Sequence, residues 1–183
     1  MHRRLFLTIA TSVSTLIAGI GPSGLAAAEA PDFSFPSIDG GMLHTGEWRG
    51  KPVLVVNTAS LCGFAGQLRD MQAMHEEYGS EGLIVLAVPS NDFNQELDDS
   101  KKVKEYCTLE YGITLPMTDI VPVAKGAVHP FYAWVRQQTG FVPKWNFNKV
   151  LLGPDGQILG TWGSFTKPDA KPIHQAFAPY LAS

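Results

Sequence analysis

Val53-Leu54-Val55-Val56-Asn57, then Leu68, Met71 and Met74 set among charged residues between Gly66 and Tyr78, then Leu83-Ile84-Val85-Leu86-Ala87-Val88, is the stretch that decides the fold. The two continuous apolar runs, rich in β-branched residues, read as strands covered on both faces. Between them the three-residue spacing of Leu68, Met71 and Met74 predicts an amphipathic helix, ended by Gly79. A strand, a helix and a strand joined by short links make a parallel pair, because parallel neighbours need a crossover between them.

Working outward, Asp39-Gly40-Gly41 separates Phe33-Ser34-Phe35-Pro36 from Met42-Leu43-His44 and predicts a short N-terminal hairpin. Downstream, Ser100 is a candidate cap for a helix running to Tyr111 and closed by Gly112. A further helix is predicted from Pro130 to Gln138, since proline is tolerated in a first turn. Val150-Leu151-Leu152, the turn Gly153-Pro154-Asp155-Gly156 and the segment Gln157 to Trp162 predict an antiparallel hairpin, followed by a last helix over Pro168 to Tyr180. The order places the chain in the α/β class: a thioredoxin-like fold with a central mixed sheet flanked by helices and an N-terminal β-hairpin.

The chain has 183 residues, 14 Lys+Arg against 17 Asp+Glu, and 45% apolar residues, the profile of one globular domain. Its lysines are scattered, which argues against nucleic acid or an anionic membrane as partner. Two cysteines and five unpaired histidines do not supply a metal site, so no metal or other cofactor is expected.

Arg3 and Arg4 precede a moderately apolar stretch that runs to Ile20 and is broken by Gly21, Pro22, Ser23 and Gly24. This predicts a signal peptide over residues 1–28, which resembles the twin-arginine type, with Ala26, Ala27 and Ala28 as the small residues before the cut. Removing Arg3 and Arg4 leaves 12 Lys+Arg against 17 Asp+Glu in the mature domain, residues 29–183. An exported, periplasmic protein follows, with no stable membrane insertion after the signal is removed. The apolar stretch is short for a spanning helix, which needs roughly 20 residues.

Cys62 stands out chemically. It follows a buried strand by five residues and precedes a helix, so backbone N–H donors and the positive end of a helix dipole are available to a thiolate. The alternative is an inert buried cysteine that packs as a small hydrophobe.

Three segments resemble the glutathione peroxidase family: Val56-Asn57-Thr58-Ala59-Ser60-Leu61-Cys62-Gly63-Phe64, Val88-Pro89-Ser90-Asn91-Asp92-Phe93-Asn94-Gln95-Glu96, and Lys144-Trp145-Asn146-Phe147-Asn148-Lys149. The resemblance implies a peroxidase whose attacking thiol is Cys62, with Gln95, Trp145 and Asn146 as its hydrogen-bonding partners. Such donors suit the chemistry, because a thiolate and a departing oxygen both need N–H groups around them. One residue, Asn94, separates Phe93 from Gln95, where the family pattern has two.

The segment from Tyr106 to Thr114 resembles the helix that carries a resolving cysteine in thioredoxin-dependent members, which makes Cys107 the resolving candidate. The implied cycle takes Cys62 to a sulfenic acid, condenses it with Cys107 to a disulfide, and returns it to thiols by exchange with an external dithiol. The resemblance implies hydrogen peroxide and organic or lipid hydroperoxides as substrates. It implies a thioredoxin-like protein as reductant, with glutathione as the other possibility. The chain has no arginine cluster near the motifs to hold glutathione carboxylates. Only 14 residues lie between Pro130 and Trp145, so the insertion that builds a tetramer interface in some relatives is missing and a monomer is expected. Two other readings use the same residues: a peroxide sensor that relays oxidation to a client, and a binding protein with a structural disulfide.

Overall fold

The computed structural model describes residues 30–182, so the predicted signal segment lies outside the described residues. After a two-stranded N-terminal hairpin, β1 (Ser34–Pro36) and β2 (Met42–His44), the chain makes a short 3-10 turn at Thr45–Trp48. It then enters the main sheet as β3 (Val53–Thr58), crosses over through α1 (Gln67–Tyr78) and returns as β4 (Ile84–Pro89). The crossover pairs β3 with β4 in parallel, Val53 beside Ile84 through Thr58 beside Pro89. Two helices follow, α2 (Ser100–Tyr111) and α3 (Pro130–Thr139), then the hairpin β5 (Lys149–Leu152) and β6 (Ile158–Trp162), and finally α4 (Lys171–Phe177). The sheet order is β4-β3-β5-β6, with β5 antiparallel to both of its neighbours. This is the thioredoxin-like α/β fold, with its mixed sheet and N-terminal hairpin.

All six residues of β3 are buried, as a double-sided run requires. Alternate residues serve two cores. Leu54 and Val56 join Val85, Ala87 and Leu151 under α1, α2 and α4, against Leu68, Met71, Val103 and Phe177. Val53 and Val55 join Leu86, Val88, Val150 and Leu152 under α3 and the hairpin, against Phe131, Val135, Phe33 and Phe35. Each such Val or Leu contributes roughly 1.5–3 kcal/mol by leaving water, so the central strand anchors both layers.

Boundaries differ from the sequence reading where side chains compete for the backbone. Ser100 does not cap α2. Asp99 does, its carboxylate accepting the Lys102 N–H at 3.0 Å, while the Ser100 hydroxyl donates to Asp119. Helix α2 closes at Gly112 in the left-handed conformation, φ 65°, as its glycine predicts. The last helix is shorter than the predicted Pro168–Tyr180. Ala170 is extended, which delays α4 to Lys171, and Pro179, lacking an N–H, leaves Ala178–Tyr180 as a 3-10 turn. The outer edge of β4 is covered by residues 116–118, which bond to Ala87 on both sides at 3.0 and 2.9 Å. No sequence pattern announces that cover.

The topology gathers three loops at one end of the sheet. Parallel β3 and β4 deliver the segments after Thr58 and Pro89 to the same edge, and antiparallel β5 begins there, Lys149 lying beside Val56.

Candidate active site

Leaving β3, the chain turns tightly: Cys62 N–H bonds Ala59 O at 3.4 Å and Ala65 N–H bonds Cys62 O at 2.9 Å. These turns place Cys62 just ahead of α1, 6% exposed. Its Sγ accepts one hydrogen bond, from the Phe64 backbone N–H at 3.5 Å. The loop is fixed to the segment after β4 by two bonds. Leu61 N–H donates to Gln95 O and Ser60 N–H to Glu96 Oε1, both at 2.9 Å.

The third loop is locked by Asn57, a buried polar residue near the end of β3. Its Oδ1 accepts Asn148 N–H at 2.9 Å and its Nδ2 donates to Trp145 O at 3.0 Å. Phe147 N–H donates to Asn57 O at 2.6 Å while Phe147 sits at φ 61°, an unusual conformation for a bulky residue. Strain of about 1–3 kcal/mol is held there by full burial of the phenyl ring, and the resulting twist lets Trp145 and Asn146 face the other two loops.

Gln95 and Asn146 meet directly, Asn146 Nδ2 donating to Gln95 Oε1 at 3.1 Å. The loop with one residue between Phe93 and Gln95 achieves this through Asn94, whose φ of 56° is one that asparagine tolerates. Asn146 is fully buried and its Oδ1 has no hydrogen-bond partner. Trp145 is 40% exposed, its ring 5.5 Å from that of Phe93. Gln95, Trp145 and Asn146 thus share the end of the sheet with Cys62, but none of them hydrogen-bonds Sγ. An open groove of about 480 Å³ runs beside Trp145, lined by Phe141, Val142, Lys144, Ser164 and Phe165. Phe165, 90% exposed, stands edge-on to Phe64.

Cys107 lies in the middle of α2, buried, in the same core cluster as Cys62, and both thiols are free. Burial first, and then the Glu96 carboxylate, push the Cys107 thiol up to about 12. The Ser60 side chain faces the same thiol, with its Oγ lacking a well-formed hydrogen bond. Glu96 is itself shifted upward by burial, against the N–H bonds from Ser60 and Leu97 that favour its charge.

The family model for glutathione peroxidase matches residues 31–136, a span that holds Cys62, Gln95 and Cys107. The chain is 35% identical over 144 residues to a glutathione peroxidase of Lactococcus lactis subsp. cremoris, covering 75% of this chain and 91% of that one. It is 34% identical over 148 residues to the hydroperoxy fatty acid reductase gpx1 of Synechocystis, with 75% and 88% covered. The chain belongs to the glutathione peroxidase family. Among solved structures it is similar to Trgpx in apo form, with TM-score 0.61 and 31% identity, covering 83% of this chain and 97% of that one. As a cysteine-type glutathione peroxidase it is a peroxide-reducing enzyme acting with a thiol reductant.

In this glutathione peroxidase the Cys62 loop and the Gln95–Asn146 amide pair lie at the same end of the sheet. Sequence reasoning nonetheless missed residues that hold this arrangement together. Asn57 interrupts the apolar run of β3 one residue before the strand ends, and that break in pattern was a readable signal. Glu96 and Lys149 sit within the quoted motifs, yet nothing local marks them as buried. Among the described residues no cluster of metal-binding side chains occurs, and no helix is long and apolar enough to cross a membrane.

Proposed function

We propose that Cys62 is the attacking thiol of a hydroperoxide peroxidase and that Cys107 resolves its oxidised form. The Cys62 thiolate attacks one peroxide oxygen, the S–O bond forms as the O–O bond breaks, and the distal oxygen leaves as water or alcohol after taking a proton. Sulfur supplies both electrons. Gln95, Trp145 and Asn146 act on the departing oxygen, through amide and indole N–H groups that reorient when peroxide enters. Cys107 then attacks Cys62, the S–S bond forms, and the sulfenic hydroxyl leaves as water with the Cys107 proton. An external dithiol of the thioredoxin kind, or glutathione, returns both residues to thiols.

The observation that carries this reading is the direct bond between Gln95 and Asn146 beside the loop of Cys62, which unites residues 51 positions apart in sequence. The apolar groove along Trp145 and Phe165 supports bulky organic and lipid hydroperoxides alongside hydrogen peroxide. The cysteines buried in one cluster support an intramolecular disulfide, reached by unwinding part of α2. The arginine-led N-terminal stretch supports export to the periplasm, and the short segment between Pro130 and Trp145 supports a monomer.

Steady-state kinetics tests the assignment. Cys62→Ser abolishes peroxide consumption, whereas Cys107→Ser allows one oxidation and stops thioredoxin-driven turnover. Full activity in Cys62→Ser refutes it.

A further inference from the structure

Among the buried ionisable groups that the peroxide step leaves unused is an amine. Lys149 opens β5, three residues past Asn146, and is fully buried. Its Nζ donates to Phe147 O at 2.6 Å and to Gln67 Oε1 at 2.5 Å. Gln67 is the first residue of α1, so the amine joins the helix that follows Cys62 to the carbonyl of the left-handed residue that follows Asn146.

The connection continues. Gln67 Nε2 donates to Ser164 O at 2.7 Å, and Ser164 Oγ donates to Asn146 O at 2.6 Å. Asn148 Nδ2 bonds both Ser164 Oγ, at 3.2 Å, and Trp145 O, at 2.6 Å. Every backbone carbonyl from Trp145 to Phe147 is therefore fixed by this network, and Lys149 is its only ionisable member.

A buried ammonium with two neutral acceptors is poised to lose its proton. Burial lowers the Lys149 amine to about 7, with Asp70 on α1 pulling it back up. Asp70 is itself 3.5 Å from Lys167. The sheet neighbours of Lys149 are Val56 on β3 and Trp162 on β6, which do not titrate. On α4, His174 is turned to the rings of Tyr78 and Phe177, and Lys171 is exposed.

We propose that Lys149 is a positioning residue for peroxide reduction, its ammonium clamping the first turn of α1 to the Trp145–Asn146 turn and releasing that clamp when it deprotonates. The inference deepens the reading of Cys62 as attacking thiol and rests on it. Charge-assisted hydrogen bonds are about twice as strong as neutral ones, so the amine still donates after losing its proton but holds the turn less firmly.

The test is single-turnover oxidation of Cys62 by hydrogen peroxide in a Cys107→Ser background, which removes resolution from the measurement. Rates are followed from about pH 6 to about pH 9 and divided by the Cys62 thiolate fraction, found by titrating its absorbance. With Lys149 present the corrected rate falls about fivefold through neutrality, while Lys149→Met is slow and flat at all pH. Lysine Cε chemical shifts give a second reading on the unaltered protein, where one lysine titrates near neutrality and its signal is absent from the Met variant. If Lys149→Met does not fold, the corrected wild-type profile and the lysine shifts still decide. A corrected rate without a step near neutrality, or a Met variant with the wild-type profile, overturns the clamp and leaves Cys62 as the attacking thiol. Failure of peroxide to oxidise Cys62 in any of these proteins sinks the peroxidase reading itself.

Discussion

The surroundings of Cys107 hold its thiol in the protonated form, and the effect is measurable. In Cys62→Ser it is the one remaining thiol. Its shift from an ordinary value of 9.0 to about 12 lowers the thiolate population at neutral pH about a thousandfold, since each pH unit is a factor of ten. Because thiolate is the nucleophile, iodoacetamide labelling slows by at least that factor, and burial at 3% exposure slows it further. The assay compares labelling rates by mass spectrometry in native buffer and in denaturant at the same pH. Native labelling about a thousandfold slower or more is the expected result. Glu96→Gln removes the second cause of the shift and speeds native labelling, by less than the burial contribution. Native and denatured rates within about tenfold of each other refute the reasoning, for the thiol would then be neither desolvated nor opposed by Glu96.

Lys149→Met also changes how stability depends on pH. The folded amine titrates at about 7 and the unfolded amine at 10.5, so between these values the unfolded chain binds the extra proton and wild-type stability rises with pH. Urea unfolding shows wild type gaining on the Met variant by about 1.4 kcal/mol per pH unit in that window, whereas parallel curves contradict the shift. Asp99→Ala removes the α2 cap, costs about 1 kcal/mol in helix stability, and speeds formation of the Cys62–Cys107 disulfide by up to about fivefold after a peroxide pulse. Slower disulfide formation in that variant argues against a resolving step through unwinding of α2. Phe165→Ala raises KM for cumene hydroperoxide by about threefold and leaves KM for hydrogen peroxide unchanged, since only the larger substrate reaches the groove. Equal changes for both substrates remove the groove from substrate binding.

Much of this was readable from the chain because it is local. The β-branched run at Val53–Val56, the helix-spaced Leu68, Met71 and Met74, and the apolar run from Leu83 to Val88 specify β3, α1 and β4 through the length and period of their own patterns. The left-handed Gly112 and the proline opening α3 mark helix ends by backbone restriction alone. What escaped depends on contacts distant in sequence. Ser100 and Asp99 are both good caps, and the choice was made by Asp119, which takes the serine hydroxyl. Lys149 reads as a surface lysine until Gln67, 82 residues earlier, is folded against it. Phe147 gives no hint of a left-handed backbone, because its strain is compensated by burial of its ring and by its bond to Asn57, far away in sequence on β3. Gln95 and Asn146 were legible as motif residues, whereas their mutual bond depends on Asn94 and on the register of β3 against β5.

The most direct measurement is the intact mass of the reduced protein and its two cysteine variants after one equivalent of peroxide, with no external thiol present. Wild type loses two hydrogens as a disulfide forms, Cys107→Ser gains one oxygen on Cys62, and Cys62→Ser is unchanged. Oxygen appearing on Cys107 in Cys62→Ser at the wild-type rate, or no change in any of the three proteins, contradicts the central role given to Cys62.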